Sequence, residues 1–491
     1  MILEKIQARW EITKGIVIIV VISAAQSLVN FALLPVFTTF LNPSSYGYLA
    51  ILSNISLFFS IVSGLNISSA VAAYYKNFKS PEELKFFIGN ALSFSFIFNT
   101  VLIGVLCLFG DAFTSFIFKE KIEFFPDVFL AIASGLFSNL FVLFGYYLRY
   151  DKQVFRLAVL SVTQMIFLGG SQVLSLYLTD SGVRGLLYMR FITALLMVVS
   201  IFLIHRKYCF RPIQFKLNLK KPLKYSILTG PALLILWLTT YGDRFFLERF
   251  LDLETVGKYS FLVTICSIAE IVISTLNLAF QPYIYDRFAV NSDYAKNFYA
   301  AFITLCVLSF SGLIILCSNI DLFVQNDEFL ETSPFIIPMI ASFVFSAATN
   351  LYALQITYAQ KGNYYLFLSF LVLITNTVLN FSLIPGAGIT GAIIANFTTK
   401  LVMCSLFLYF SQKAFFTNTL NVVGSIAGLF LLTCFGSWLL AVSDLLNYKK
   451  AAFLQFCLFV ICAFLFFRAS FFKVLLTPKK IFNYDQNSRG T

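Results

Sequence analysis

The stretch LIPGAGITGAIIAN at 383–396 sets Gly386, Gly388 and Gly391 in the order G-x-G-x-x-G. That spacing cradles a dinucleotide pyrophosphate when it follows a strand and opens a helix, because glycines let the backbone approach the phosphates. A second set of chemically able residues is charged. Asp127, Arg190, Asp243, Arg244, Glu270 and Lys400 each stand inside an apolar run, with Glu248 nearer the end of one. A charge at the centre of a membrane costs roughly 2.5 to 3.5 kcal/mol, so each such residue needs a partner, a hydrated cavity or a function. What either set can do depends on the elements that hold it.

Those elements are helices in a bilayer. Of 491 residues, 59% are hydrophobic and 12% charged, against about 25% charged in a soluble domain. The apolar residues fall in runs of the length a spanning helix needs. The runs are 15–41, 46–74, 85–110, 124–148, 154–178, 183–205, 222–247, 255–283, 296–318, 333–359, 364–384, 388–411, 420–442 and 451–470. The predicted fold is therefore an all-α polytopic membrane protein of about 14 transmembrane helices. Lys5, Arg9 and Lys14 precede the first run, which is too long for a signal-peptide core and has no small-residue cleavage site behind it, so an uncleaved span is expected.

With the N-terminus inside, inner segments hold 25 of the 35 Lys and Arg, and outer loops hold seven. This asymmetry predicts both termini in the cytoplasm. It also accounts for the net charge of +12 through anionic lipid headgroups, with no nucleic-acid partner. Of nine cysteines only Cys209 lies outside the spans, none forms C-x-x-C, and His205 is the only histidine, so no metal site is expected.

A repeat explains the glycines. At an offset of 206, YLTDSGVRGLLYMR (177–190) aligns with 383–396, pairing Gly182 with Gly388 and Gly185 with Gly391. At an offset of 210, FLNPSSYGY (40–48) aligns with FLDLETVGK (250–258), pairing Gly47 with Gly257. What recurs is a tight helix–helix turn, not the dinucleotide pattern, and no cofactor is expected. Spans 1–6 and 7–12 are read as two parallel six-helix repeats forming two lobes around a central cleft, followed by two C-terminal helices. The expected divisions are 1–205 (N-terminal lobe), 206–221 (basic cytoplasmic linker), 222–411 (C-terminal lobe), 412–470 (two appended spans) and 471–491 (cytoplasmic tail).

The stretches 33–75, DRFFLERFLDLETVGKYS (243–260), AFQPYIYDRF (279–288) and PGAGITGA (385–392), in this order, resemble the polysaccharide transporter family of lipid-linked oligosaccharide flippases. These belong to the multidrug/oligosaccharidyl-lipid/polysaccharide (MOP) exporter superfamily. The resemblance covers about the first 410 residues and implies a flippase of the bacterial cytoplasmic membrane. Its substrate would be an undecaprenyl-linked glycan, such as an O-antigen, capsule or exopolysaccharide unit, moved to the outer leaflet by alternating access. Glycan polymerase machinery is an implied partner. A cation-coupled multidrug exporter of the same superfamily and a lipid II flippase are the alternatives. A membrane enzyme is set aside, since no outer loop exceeds roughly twenty residues.

On that reading Arg190, Arg244 and Lys400 are candidate ligands for the pyrophosphate. Arg190 follows Gly185 by five residues and Lys400 follows Gly391 by nine, a difference of one helical turn, so the repeats offer cations at similar depth. The structural alternative pairs Lys400 with Glu270. Glu270, amid ICSIAEIVIST, is a candidate proton-coupling site, or else a neutral carboxyl bonded to a neighbouring helix. Asp243 and Arg244 are adjacent, so they diverge by about 100° on a helix and are expected to face different neighbours. One is expected to line the cleft while the other pins span 7 to another helix. Asp127 is expected at a solvated outer interface.

Overall fold

The computed structural model describes residues 25, 29, 31–74, 80–119, 122–179, 181–209, 220–290, 295–414, 420–443 and 445–461. The expectations for Lys5, Arg9 and Lys14, most of the 206–221 linker and the tail from 471 lie outside them. Among the described residues there is no β-strand. Among the same residues, eleven helices are long and apolar enough to cross a membrane, and a shorter apolar one covers Phe31–Phe40. In hydrocarbon a chain must satisfy its own backbone hydrogen bonds, and a helix does so within one segment. The protein is a multi-pass, all-helical membrane protein.

The order is α1 (Phe31–Phe40), α2 (Pro43–Val62), α3 (Ile67–Tyr74), α4 (Pro81–Ile117), α5 (Phe129–Tyr150), α6 (Val154–Leu178) and α7 (Gly182–Ile204). It continues with α8 (Lys220–Phe250), α9 (Leu253–Cys266), α10 (Ile268–Val290), α11 (Ala295–Ser318), α12 (Ile336–Tyr358), α13 (Gly362–Ala414) and α14 (Leu420–Val442). Local sequence sets several starts. Asn42 accepts the Ser45 amide at 2.8 Å and Pro43 supplies a preset φ at the first turn of α2. Ser80 and Pro81 do the same for α4, with Glu82 and Glu83 against the positive end of the helix dipole.

Hydropathy located the helices but not their breaks. The predicted span 46–74 is α2 and α3 joined by a 3-10 turn at Ser63–Asn66, where Asn66 takes φ 60°. The span 255–283 is interrupted at Ser267, between α9 and α10. Conversely, the spans 364–384 and 388–411 lie in one helical run, α13, broken at Gly388 with φ 58° and ψ −132°.

The chain divides into two compact units, residues 1–260 and 261–491. In the first, α5 is the central helix: 78% of the apolar stretch of Phe124–Tyr150 is buried, against 22% for Val154–Leu178. It packs on α7, α2 and α4. Polar groups stitch it in place, since Asn139 Nδ2 donates to the Ser60 carbonyl at 2.6 Å and Asn99 Nδ2 to the Leu136 carbonyl at 2.8 Å. A side chain at Gly135 would collide with the Ser56 carbonyl, so a small residue is required there. Helix α8 also packs in this unit, against α2 and α3. In the second unit the centre is α12, whose helical run Asp327–Tyr358 is 72% buried in its apolar stretch. It packs on α13, α11 and α14. The appended helix α14 lies against α11 and α12, and Gln455 Nε2 donates to Ser311 Oγ at 3.2 Å.

Candidate functional site

The glycines come first, since they posed the nucleotide question. Gly182 and Gly388, paired by the sequence offset, both adopt positive φ, 52° and 58°. Three residues on, a side chain at Gly185 would strike Ser175 and Ser181, and one at Gly391 would strike the Leu383 carbonyl. Each pair makes one tight reversal between helices: the first glycine supplies the left-handed backbone and the second the close approach. What precedes Gly388 is helix, so the strand a dinucleotide fingerprint requires is not there.

Gly47 and Gly257, paired at the other offset, touch each other. A side chain on Gly47 would collide with the Leu253 carbonyl and the Gly257 amide nitrogen, and one on Gly257 with the Pro43 carbonyl and the Gly47 nitrogen. The start of α2 and the start of α9 thus meet backbone to backbone.

The charged candidates separate into two kinds. Asp243 and Arg244 correct the expectation that adjacent residues face apart: Arg244 Nη1 donates to Asp243 Oδ1 at 3.0 Å, and both side chains are buried. The 100° divergence applies to the Cβ directions. The guanidinium reaches back around the helix, while Asp243 Oδ1 also accepts the Arg244 amide at 2.9 Å. Tyr259 donates to the other carboxylate oxygen, and the guanidinium lies 5.5 and 5.7 Å from the ring centroids of Tyr241 and Tyr259. This is a sealed, internally neutral cluster. Glu248, one turn on, is also buried and accepts the Lys119 amide at 2.8 Å.

Arg190 and Lys400 are of the second kind. Arg190, on α7, is half-buried, and Nη1 donates to Ser53 Oγ on α2 at 2.5 Å. No carboxylate among the described residues forms an ion pair with it. Lys400, on α13, is also half-buried: Nζ donates to Ser342 Oγ on α12 at 3.0 Å and lies 3.5 Å from the Phe343 ring centroid. Glu270 is near enough for its charge to interact with Lys400. It sits in the first turn of α10, just past the break at Ser267, with part of its side chain exposed.

Asp127 accepts from Arg184 Nε at 2.9 Å and from Tyr48 at 3.4 Å, so this carboxylate carries an ion pair. His205 lies beyond the end of α7, buried against Phe144, Tyr147 and Tyr208, with Nε2 donating to the Lys85 carbonyl at 3.2 Å. Burial holds its imidazole below the ordinary pKa. Among the described residues no three His, Cys, Asp or Glu side chains are grouped to hold a metal.

Sequence reasoning missed Ser53, Ser342 and Tyr259, since single hydroxyls in spans carry no spacing signal. It also missed the buried chain Asn380–Asn376–Thr399 on α13, linked at 3.0 and 3.4 Å. The two asparagines stand four apart, a same-face spacing that could have drawn attention to them.

Residues 12–288 match the family described as "Polysaccharide biosynthesis protein". No curated protein matches the chain in sequence. Among solved structures, the chain is similar to the lipid II flippase MurJ in an inward closed conformation, with TM-score 0.66, 14% identity, and coverage of 91% of this chain and 98% of that one. It is similar to an inward-facing multidrug resistance MATE family transporter of the MOP superfamily, with TM-score 0.56, 14% identity, and coverage of 79% and 95%. It is also similar to a MOP superfamily transporter from Pyrococcus furiosus, with TM-score 0.51, 15% identity, and coverage of 80% and 96%. At such identities the likeness shows a shared fold, that of MOP superfamily transporters.

Proposed function

The chain belongs to the polysaccharide biosynthesis protein family, and from that premise we propose that it is a flippase for polyprenyl-(pyro)phosphate-linked oligosaccharide. It carries the headgroup from the inner to the outer leaflet of a bacterial cytoplasmic membrane, with both chain ends on the cytoplasmic side. The fold does not choose between this activity and export of cationic drugs, because both kinds of transporter share it.

The observation that carries the choice is Arg190: a half-buried arginine inside a span, held by a serine hydroxyl, with no ion-paired carboxylate among the described residues. A cation kept at full charge in a partly accessible place favours an anionic ligand, and a guanidinium matches phosphate oxygens in charge and geometry. Lys400 offers the second unit a comparable group. Arg244 leaves the set of phosphate ligands, since Asp243 neutralises it in a buried cluster. Translocation proceeds by alternating access, presenting these cations to one leaflet and then the other while the polyprenyl tail stays in lipid.

The test is a strain lacking the gene. Loss of surface polysaccharide with full-length lipid-linked precursor accumulating on the inner leaflet is the expected result. Normal surface glycan with raised sensitivity to cationic dyes would instead assign a drug exporter.

A further inference from the structure

The two accessible cations are seated in the same way by residues that are not equivalents in the repeat. Arg190 Nη1 donates to Ser53 Oγ, and Ser53 Oγ donates in turn to the Leu49 carbonyl at 2.6 Å, one turn back on α2. Lys400 Nζ donates to Ser342 Oγ, and Ser342 Oγ donates to the Met339 carbonyl at 2.6 Å, one turn back on α12. A serine hydroxyl has one proton and two lone pairs. In both places the proton is committed to the serine's own helix, so the lone pairs are left for the cation. Ser53 and Ser342 stand 289 residues apart, a separation that matches neither repeat offset. The arrangement therefore arises separately in each unit.

Such a seat does two things at once. It fixes one rotamer of a long side chain, and a neutral hydroxyl does not itself cancel the charge it holds. The Asp243–Arg244 pair shows the other outcome, in which a carboxylate fixes the side chain and cancels the charge.

We propose that Ser53 and Ser342 are positioning residues that hold Arg190 and Lys400 pre-ordered for the phosphate groups of the substrate. The proposal rests on the flippase reading above. Its expected magnitude follows from the cost of immobilising a long side chain on binding: losing the seat weakens binding about three- to tenfold.

The test measures binding of undecaprenyl pyrophosphate to the purified full chain, for wild type and for Ser53→Ala, Ser53→Thr, Ser53→Asp and Arg190→Ala, with Ser342→Ala and Ser342→Thr in parallel. Elution volume and Tm are recorded for each variant. Ser53→Ala is expected to bind about three- to tenfold more weakly, Ser53→Thr to recover wild-type binding because it restores a hydroxyl, and Ser53→Asp to bind as poorly as Arg190→Ala because it neutralises the arginine. The serines of the second unit should follow the same alanine–threonine pattern. If Arg190→Ala binds poorly while Ser53→Ala binds like wild type, or while Ser53→Thr fails to rescue at unchanged Tm, the positioning role is wrong and the flippase reading stands. Wild-type binding by Arg190→Ala would overturn the phosphate reading itself.

Discussion

Arg190 and Arg244, both well inside long helices of the first unit, are built in opposite ways. Arg244 is buried, bonded to Asp243, and flanked by Tyr241 and Tyr259. Arg190 is half-buried and rests on the neutral hydroxyl of Ser53. Both meet the cost of a charge in a membrane, one by cancelling it and the other by keeping a face open. The difference teaches that a charged residue within a span is not by itself a ligand site. Its accessibility and the charge of its partner decide.

Substitutions at the two positions should separate cleanly. Asp243→Ala strands a buried guanidinium, at a cost of about 3 to 5 kcal/mol, so the protein should be depleted from the membrane and lose Tm. Arg190→Ala should leave abundance and Tm near wild type while abolishing transport. Normal abundance of Asp243→Ala, or depletion of Arg190→Ala, would collapse the distinction. Next in size is Gly47→Leu, which forces a side chain into the Leu253 backbone. Overpacking at such a site costs about 1 to 3 kcal/mol, and Gly257→Leu should cost as much, since each glycine blocks the other; thermal unfolding of the purified variants reads both.

Tyr259→Phe sharpens the comparison further. It removes one donor from the Asp243 carboxylate, so Tm should fall by the equivalent of about 1 to 3 kcal/mol with transport kept in proportion to folded protein. The smallest effect concerns His205. Its folded pKa lies below the ordinary value because burial disfavours the imidazolium. The unfolded chain therefore binds a proton first as pH falls, so stability is constant above about pH 6.5 and declines below it. Tm measured from pH 7.5 to 5.5 should fall more for wild type than for His205→Gln; equal slopes would remove His205 as the source.

The helices were legible because bilayer thickness and backbone hydrogen bonding leave little choice. Val154–Leu178 was read to the residue, and the left-handed backbone of Gly182 and Gly388 was foreseen from their turn. Breaks were harder. Nothing in the hydropathy of 255–283 marks Ser267, and an apolar run reads alike on either side of Ser63–Asn66. At the site, residue type alone singled out Arg190, Arg244 and Lys400. Their different surroundings were invisible, because they depend on Ser53, Ser342 and Tyr259, which helix packing supplies from elsewhere in the chain. The Asp243–Arg244 contact was misjudged because helical angles describe Cβ directions and a long side chain can curl past them.

The measurement closest to the central claim is translocation in proteoliposomes. The wild-type protein and the Arg190→Ala and Lys400→Ala variants are reconstituted with an undecaprenyl-pyrophosphate-linked oligosaccharide, and exposure of the glycan on the opposite leaflet is followed with an impermeant lectin. Exposure that requires the wild-type protein and is lost in both variants is the predicted result. Unchanged exposure in the variants, or transport of a cationic dye in place of the glycan lipid, would contradict the account.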